Sequence, residues 1–226
     1  MMSPSKAYSS AALKMDEKHR YTVDGRVIPS VTKIIYAVLA IDEKYKRLRD
    51  EGILIDPEPY AKFGTAVHKA CELYVKKTLD REEMDPLLEP SLTAFIQFIE
   101  DTGFNVIESE TMAYSKKFWY AGTYDLYGSF NGTFAIVDIK TGTSQKWHNL
   151  QTAGYALLKQ GQSKSVFSPD FPKGAGLGVI SPPLDRYCLY LDRDKPKYKL
   201  KKHKDDRDMK FWEQMVSVFH GKERYQ

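Results

Sequence analysis

The sequence predicts an α/β fold in which a mixed β-sheet of about four or five strands carries helices on both faces. Apolar residues recur at helical spacing over residues 60–79 and 90–101, whereas residues 106–140 are rich in Tyr, Phe, Ile, Val and Thr, as strands are. The segment from Phe134 to Ile139 is apolar except at Asp138, which is typical of a central strand that is buried on both faces. Helices on both sides are the usual way to bury such a sheet.

The length and composition indicate an ordinary globular protein. One domain spanning residues 1–226 is expected, with residues 1–20 as a loose N-terminus. Hydrophobic residues make up 42% and charged residues 28% of the chain, a balance that excludes a disordered or membrane-embedded protein. The longest strongly apolar stretch, residues 34–41, is far shorter than the roughly 20 residues of a membrane helix, and the first residues lack the apolar core of a signal peptide. We therefore expect a cytoplasmic protein without a membrane partner.

The cysteines and the net charge exclude several kinds of site. Cys71 and Cys188 are the only cysteines, too few for a disulfide framework, a four-cysteine zinc site or an iron–sulfur cluster. The formal net charge of +4 permits an anionic partner such as nucleic acid without demanding one.

Local signals predict the order of the elements along the chain. A hairpin over residues 21–28 turns at Asp24-Gly25, and Ser30 is expected to cap a helix that runs through Val38. Asp42 is expected to cap a second helix that ends at Gly52. The remaining predicted elements are helices over residues 60–79 and 90–101, three antiparallel strands between 106 and 140, a helix over 146–160, strands over 176–180 and 187–191, and a last helix over 205–219.

The hairpin at Asn131-Gly132 brings three charged residues together. A type I′ turn needs positive φ at both central residues, and Asn-Gly is its strongest sequence signal. Counting outward from this turn places Asp125 opposite Asp138, with Cβ atoms about 4.5–5.5 Å apart. Lys140 follows Asp138 by two residues, so strand alternation puts both side chains on one face. A slip of one residue in this register would separate the two carboxylates.

Two carboxylates that face each other destabilise a sheet unless a cation lies between them. Hard divalent cations prefer oxygen ligands, so Mg²⁺ or Mn²⁺ is expected at Asp125 and Asp138, and zinc is disfavoured without a His and Cys cluster. Such a cation suits phosphodiester hydrolysis, in which Lys140 would orient water or phosphate and add positive charge. The alternative is structural: the pair marks the solvent end of the sheet and Lys140 neutralises it.

Four motifs in order give the chain a family resemblance. These motifs are Gly64-Thr-Ala-Val-His68, Ala121-Gly-Thr-Tyr-Asp125, Val137-Asp-Ile-Lys-Thr-Gly142 and Gln151-Thr-Ala-Gly-Tyr155. With them the sequence resembles RecB-type nucleases of the PD-(D/E)xK superfamily, particularly small phage-encoded exonucleases. The stretch Ile28-Pro-Ser-Val-Thr32 is similar to a segment common in the phage members.

The resemblance implies a restriction-endonuclease-like core and a set of site residues. His68, Asp125, Asp138 and the backbone carbonyl of Ile139 would bind the metal. Lys140 would be catalytic together with Asp125 and Asp138, and Gln151 and Tyr155 would lie near Lys140 and the DNA backbone. No G-x-x-x-x-G-K-[ST] motif occurs, so no ATP is expected, and the cysteines of the iron–sulfur branch are missing.

Two further sets of residues are additional candidates. A tight turn at Lys116-Lys117 would place Glu110 opposite Thr123 on the Asp125 face, as an additional acidic ligand. The basic segment 193–204 includes Lys199, Lys201 and Lys202, which would contact DNA or form a solvated edge. His148 is expected to face solvent.

The leading functional hypothesis is a metal-dependent, ATP-independent DNA exonuclease that acts on linear single- or double-stranded ends in phage DNA processing, recombination or degradation. An endonuclease of the same superfamily, structure-specific or restriction-like, is the nearest alternative. A catalytically silent nucleic-acid-binding protein on the nuclease fold is an alternative of another class. A homo-oligomer and a single-strand annealing or binding protein are further partners that the resemblance admits.

Overall fold

The computed structural model describes residues 13–52, 58–162 and 184–225. Its strands are β1 (Leu13–Met15), β2 (Tyr21–Val23), β3 (Arg26–Ile28), β4 (Asn105–Ser115), β5 (Tyr120–Phe130), β6 (Thr133–Lys140), β7 (Asp185–Leu191) and β8 (Tyr198–His203). Its α-helices are α1 (Val31–Val38), α2 (Ile41–Asp50), α3 (Glu58–Val75), α4 (Glu89–Thr102), α5 (His148–Gln162) and α6 (Arg207–Tyr225), and a short 3₁₀ helix (Pro86–Leu88) precedes α4.

Within the described residues, the main sheet has five strands in the order β4-β5-β6-β7-β8. The β6–β7 pair is parallel and the other pairs are antiparallel, so the sheet is mixed, as predicted. The strand β6 is central, and its residues from Ala135 to Ile139 are buried. A small separate sheet contains β1, β2 and β3. The strand expected over residues 176–180 lies outside the described residues.

Helices pack on both faces of the main sheet, which confirms the predicted architecture. On one face, Ile136 packs in a core with residues of α1, α5 and α6. On the other face, Val137 and Ile139 pack in a core with residues of α3 and α4. Because neighbouring residues of β6 enter different cores, this strand holds the two layers together and places Asp138 and Lys140 at its buried end.

The hairpin at Asn131-Gly132 forms with the predicted register. Both residues have positive φ, 46° and 85°, as a type I′ turn requires. Phe130 pairs with Thr133, and the ladder continues to the pair of Leu126 and Val137. The ladder ends there, one position before Asp125 and Asp138, so these two residues are not the regular opposed pair that the sequence predicted.

The turn between β4 and β5 differs from its prediction. Ser115 pairs with Tyr120, so the loop has four residues, and the positive φ falls on Trp119 at 53°. Met112 therefore lies opposite Thr123, and the prediction that Glu110 would lie there was wrong. Nothing in the local sequence marks Trp119 as the residue with positive φ, which is uncommon for a bulky side chain.

The predicted helix caps and N-terminus are confirmed only in part. The side chain of Ser30 caps α1 and accepts a hydrogen bond from the Lys33 N–H at 3.0 Å. Asp42 does not cap α2: Ala40 is the N-cap, with φ 51°, and Asp42 lies in the first turn. Residues 13–15 pair with β2, so the loose N-terminus was wrong for them, while residues 1–12 lie outside the described part. No helix in the described ranges is long and apolar enough to cross a membrane.

Candidate metal site

Three side chains from separate elements converge beside the central strand. They are His68 of α3, Glu110 of β4 and Asp125 of β5, and one ligand atom of each lies within 4.8 Å of the other two. The Nδ1 atom of His68 is 3.3 Å from Asp125 Oδ1 and 3.6 Å from Glu110 Oε1. Asp125 is buried, and the side chains of His68 and Glu110 are partly buried. The structure therefore brings Glu110 to His68 and Asp125, by a different register from the predicted one.

A local irregularity of β4 and β5 positions the two carboxylates. Ser109 pairs with Leu126 and Thr111 pairs with Tyr124, so Glu110 lies opposite Asp125. Glu110 has φ 48°, in the left-handed region that a regular strand does not use. Tyr124 and Leu126 pack in different cores, although strict alternation would put them on one face. The strand pair thus departs from regular β geometry at the residues that form the cluster.

Asp125 links the cluster to the central strand. Its Oδ2 accepts a hydrogen bond from the Ile139 backbone N–H at 2.5 Å. Burial would raise the pKa of Asp125, but His68, Lys140 and the Ile139 N–H together lower it below the ordinary range. The pKa of His68 is raised, because Asp125 and Glu110 outweigh the effect of its burial. The cluster is therefore a negative site that attracts a positive charge, either a proton on His68 or a cation.

Lys140 and Asp138 form a buried ion pair next to this cluster. The Lys140 Nζ atom lies 2.6 Å from Asp138 Oδ2. Burial would lower the pKa of Lys140, but the charges of Asp138 and Asp125 raise it, so the ammonium form persists at neutral pH. Burial raises the pKa of Asp138, and Lys140 offsets part of that rise. Asp138 is not among the three clustered ligands, and its role in metal binding stays a prediction, as does that of the Ile139 carbonyl.

Gln151 and Tyr155 lie on one face of α5, as the sequence predicted. The Gln151 Nε2 atom donates a hydrogen bond to the Tyr155 hydroxyl at 3.1 Å. Both side chains are buried, and Gln151 Oε1 has no hydrogen-bond partner among the described residues. Tyr155 lines a cavity of about 530 Å³ together with His68, Glu110 and Asp125. The phenol of Tyr155 therefore lies at the wall of the cavity that contains the acidic cluster, with the Gln151 amide hydrogen-bonded to it.

Two glycines of the sequence motifs allow the site to pack. An added Cβ at Gly122 would lie 2.8 Å from Tyr155 Cε1 and 3.1 Å from Val31 Cγ2. An added Cβ at Gly64 would lie 3.1 Å from Thr141 Oγ1. The start of β5 is also held by the carbonyl of Pro29, which accepts a hydrogen bond from the Ala121 N–H at 2.9 Å. The small residues thus let α5 and α3 approach the strands that carry Asp125 and Lys140.

The three clustered ligands fit a divalent cation. Ligand atoms that share an edge of an octahedron with bonds of about 2.1 Å lie about 3 Å apart. The 3.3 Å and 3.6 Å separations at His68 are slightly longer than this edge, so small side-chain movements would complete the geometry. The two carboxylates are donors that magnesium and manganese prefer, whereas the imidazole is a ligand that transition metals accept more readily than magnesium does.

A second and larger opening leads to Lys140. This opening is a groove of about 1190 Å³ between α3, the ends of β6 and β7, and the connection from β7 to β8. His68 and Lys140 lie on its inner wall. Most charged side chains of the described residues that line it are basic. The cations among them are Arg49, Lys140, Arg193, Lys197 and Lys199, and the carboxylate is Asp192. The groove therefore suits an anionic ligand.

Other predicted residues have mixed outcomes. Lys199 lines the groove and Lys201 is exposed on the same strand, whereas Lys202 forms an ion pair with Asp185. His148 does not face solvent: it is 4% exposed, stacks on Tyr190 and bonds to the Tyr190 hydroxyl at 3.0 Å. Arg193 belongs to the basic segment that the sequence singled out, and it lines the groove. Sequence reasoning missed Arg49, Tyr60 and Phe63, because they come together with that segment only through long-range packing.

No protein-family model matches this chain, and no curated protein matches it. Among solved structures, the crystal structure of SSO0001 is similar with 15% identity and a TM-score of 0.41, covering 87% of this chain and 75% of that one. A protein from Eubacterium rectale that is provisionally named an exonuclease has 10% identity and a TM-score of 0.46, covering 77% of this chain and 70% of that one. Because both TM-scores are below 0.5, the functional argument rests on the geometry of this chain.

Proposed function

We propose that this protein is a metal-dependent deoxyribonuclease that hydrolyses phosphodiester bonds, with His68, Glu110 and Asp125 as ligands of a Mg²⁺ or Mn²⁺ ion. The observation that carries the proposal is the position of these three ligand atoms, within 4.8 Å of one another, beside the buried pair of Lys140 and Asp138. The four motifs that resemble RecB-type nucleases contribute residues to this same region.

The proposed metal and the residues of the chain have separate roles. When bound, the cation would supply Lewis-acid stabilisation of the negative charge that develops on the phosphate. The ammonium group of Lys140 would add a fixed positive charge at the scissile phosphate and orient the attacking water. Asp138 holds Lys140 by the 2.6 Å ion pair, so the ammonium needs little reorganisation during the reaction.

Gln151 and Tyr155 would position the DNA backbone. Their side chains share one helix face and are joined by a hydrogen bond, so they would reach a single phosphate as a unit. The unpartnered Gln151 Oε1 is an acceptor and would take a hydrogen bond from a water molecule at the site, while the donors to a phosphate oxygen would be the Gln151 amide N–H and the Tyr155 hydroxyl.

We infer exonuclease action on linear DNA ends, without ATP, from the resemblance to small phage-encoded nucleases. The test incubates the protein with end-labelled linear DNA and with closed circular DNA, in Mg²⁺, Mn²⁺ or EDTA. Mononucleotides or short products from linear DNA only, abolished by EDTA, are expected. Nicking of the circle would instead identify an endonuclease, and no cleavage with either metal would contradict the nuclease proposal.

A further inference from the structure

An aromatic and guanidinium cluster lies in the groove that leads to Lys140. The Arg193 Cζ atom lies 4.7 Å from the ring centroid of Phe63 and 5.7 Å from that of Tyr60. Both rings belong to α3, and Arg193 belongs to the connection between β7 and β8. The cluster therefore bridges the two walls of the groove.

The aromatic surface of this cluster is open to a ligand. Tyr60 is 57% exposed, although a large aromatic ring gains free energy when it is buried. Arg193 is also exposed, and none of the ion pairs between described residues includes it. The cluster thus presents an aromatic face and a cation that structural contacts leave accessible, both in a groove with an excess of positive charge.

The distance to the candidate metal site suits a nucleotide chain. Tyr60 precedes His68 by about two helical turns, which is about 12 Å along the axis of α3. A ligand that occupies the groove would therefore contact Tyr60 and Lys140 at the same time. The basic residues can follow its phosphates, and the aromatic rings can stack on its bases.

We propose that Tyr60, Phe63 and Arg193 form a base-stacking platform that holds an unpaired nucleobase and so favours single-stranded DNA ends in the groove. The platform rests on the proposed nuclease function, since it positions the substrate of that site. The faces of paired bases are covered by their neighbours in a duplex, whereas an unpaired base offers both faces for stacking. A duplex would contact the basic residues through its phosphates and would gain nothing from Tyr60.

The test measures binding in EDTA, where the proposed metal-dependent cleavage does not interfere. A single-stranded oligodeoxynucleotide with 2-aminopurine near one end is titrated with the wild-type protein and with Tyr60→Ala, Tyr60→Phe and Arg193→Ala. Stacking on an aromatic ring quenches 2-aminopurine fluorescence. The wild-type protein and Tyr60→Phe should bind tightly with quenching, and Tyr60→Ala should bind the single strand roughly tenfold more weakly. Arg193→Ala should weaken binding of the single strand at least as much, because it removes both the group that packs on the two rings and a cation that can contact phosphate.

Matched controls separate the platform from general electrostatics. Lys117 also lies over a ring, 4.6 Å from the centroid of Phe118, but it does not line the groove. Lys117→Ala should bind the single strand like the wild-type protein. For a blunt duplex, Tyr60→Ala should leave the affinity unchanged.

Three results would overturn the platform: no binding of the single strand, binding without quenching, or equal affinity of Tyr60→Ala and the wild-type protein. None of these three results would contradict the nuclease proposal, which is tested separately by the hydrolysis of linear DNA. A protein that binds the strand through Tyr60 but never cleaves DNA would contradict the nuclease function alone.

Discussion

The imidazole of His68 lies against the carboxylate of Asp125, with 3.3 Å between Nδ1 and Oδ1. This contact joins the helix α3 to the strand β5. Asp125 is 6% exposed, and its other oxygen accepts the Ile139 N–H. A protonated His68 therefore compensates the buried charge of Asp125 when no cation is bound, which decides how substitutions at this position affect stability.

Asp125→Asn should destabilise the metal-free protein. From sequence alone, two opposed carboxylates predict that this substitution stabilises the fold. In the structure the neutral amide removes one of the two carboxylates beside the partly buried His68 and weakens its contact with the imidazole, and a loss on the order of 1–3 kcal/mol is expected. Urea unfolding in EDTA measures it. A higher free energy of unfolding in the variant would show that repulsion from Asp138 dominates.

Lys140→Ala should retain metal and DNA binding but lose turnover by at least about a hundredfold, because it removes a fixed charge that acts in the transition state. Lys159→Ala is a close control: the Lys159 side chain is 15% exposed and lies 2.6 Å from Glu108, against 16% exposed and 2.6 Å from Asp138 for Lys140. Single-turnover cleavage of linear DNA compares the two. An equal loss of turnover in both variants would indicate that removing any lysine–carboxylate ion pair, and not the position of Lys140 in the site, explains the effect.

Gly122→Ala should damage both the fold and the site. Its new Cβ would lie 2.8 Å from Tyr155 Cε1, so Tyr155 must move, at a cost of about 1–3 kcal/mol. Gly161→Ala lies on the same helix as Tyr155, and its new Cβ meets no described residue within 4 Å, so it should leave stability unchanged or slightly higher. Chemical denaturation and cleavage rates of the two variants test the contact. Full activity and stability of Gly122→Ala would refute it.

The buried His148 should make stability depend on pH. Burial, followed by the charges of Lys140, His203 and Lys201, lowers the pKa of His148 to about 3 from the ordinary value of 6.5. Below pH 6.5 His148 becomes protonated in the unfolded chain but stays neutral in the folded protein. The stability contributed by the neutral imidazole is therefore lost as the pH falls toward 3. The free energy of unfolding of the wild-type protein should therefore decrease more steeply over this window than that of His148→Asn. Parallel curves would indicate that His148 keeps its ordinary pKa.

Local signals predicted the parts of the fold that depend on few residues. The Asn131-Gly132 turn fixes its hairpin because positive φ is required at two adjacent positions, and Ser30 caps α1 by a contact within one turn. The alternation of Ile136 and Val137 between two cores follows from the apolar pattern of β6.

The remaining features of the site depend on strain and long-range packing. The position of Glu110 follows from the positive φ of Trp119 and of Glu110 itself, which no residue type signals. The ladder between β5 and β6 ends before Asp125, whose carboxylate contacts His68 and the Ile139 N–H. The cluster of Tyr60, Phe63 and Arg193 brings α3 to the β7–β8 connection, more than a hundred residues later in the chain.

The central claim is that His68, Glu110 and Asp125 hold a divalent cation. The most direct test is a calorimetric titration of the protein with Mn²⁺, for the wild-type chain, Glu110→Gln and Glu108→Gln. Glu108 lies on the same strand, but its carboxylate contacts Lys159 and Tyr124 instead of the cluster. We expect Glu110→Gln to weaken Mn²⁺ binding at least about tenfold and Glu108→Gln to leave it unchanged. Equal affinities of the two variants, or no Mn²⁺ binding by the wild-type protein, would contradict the account.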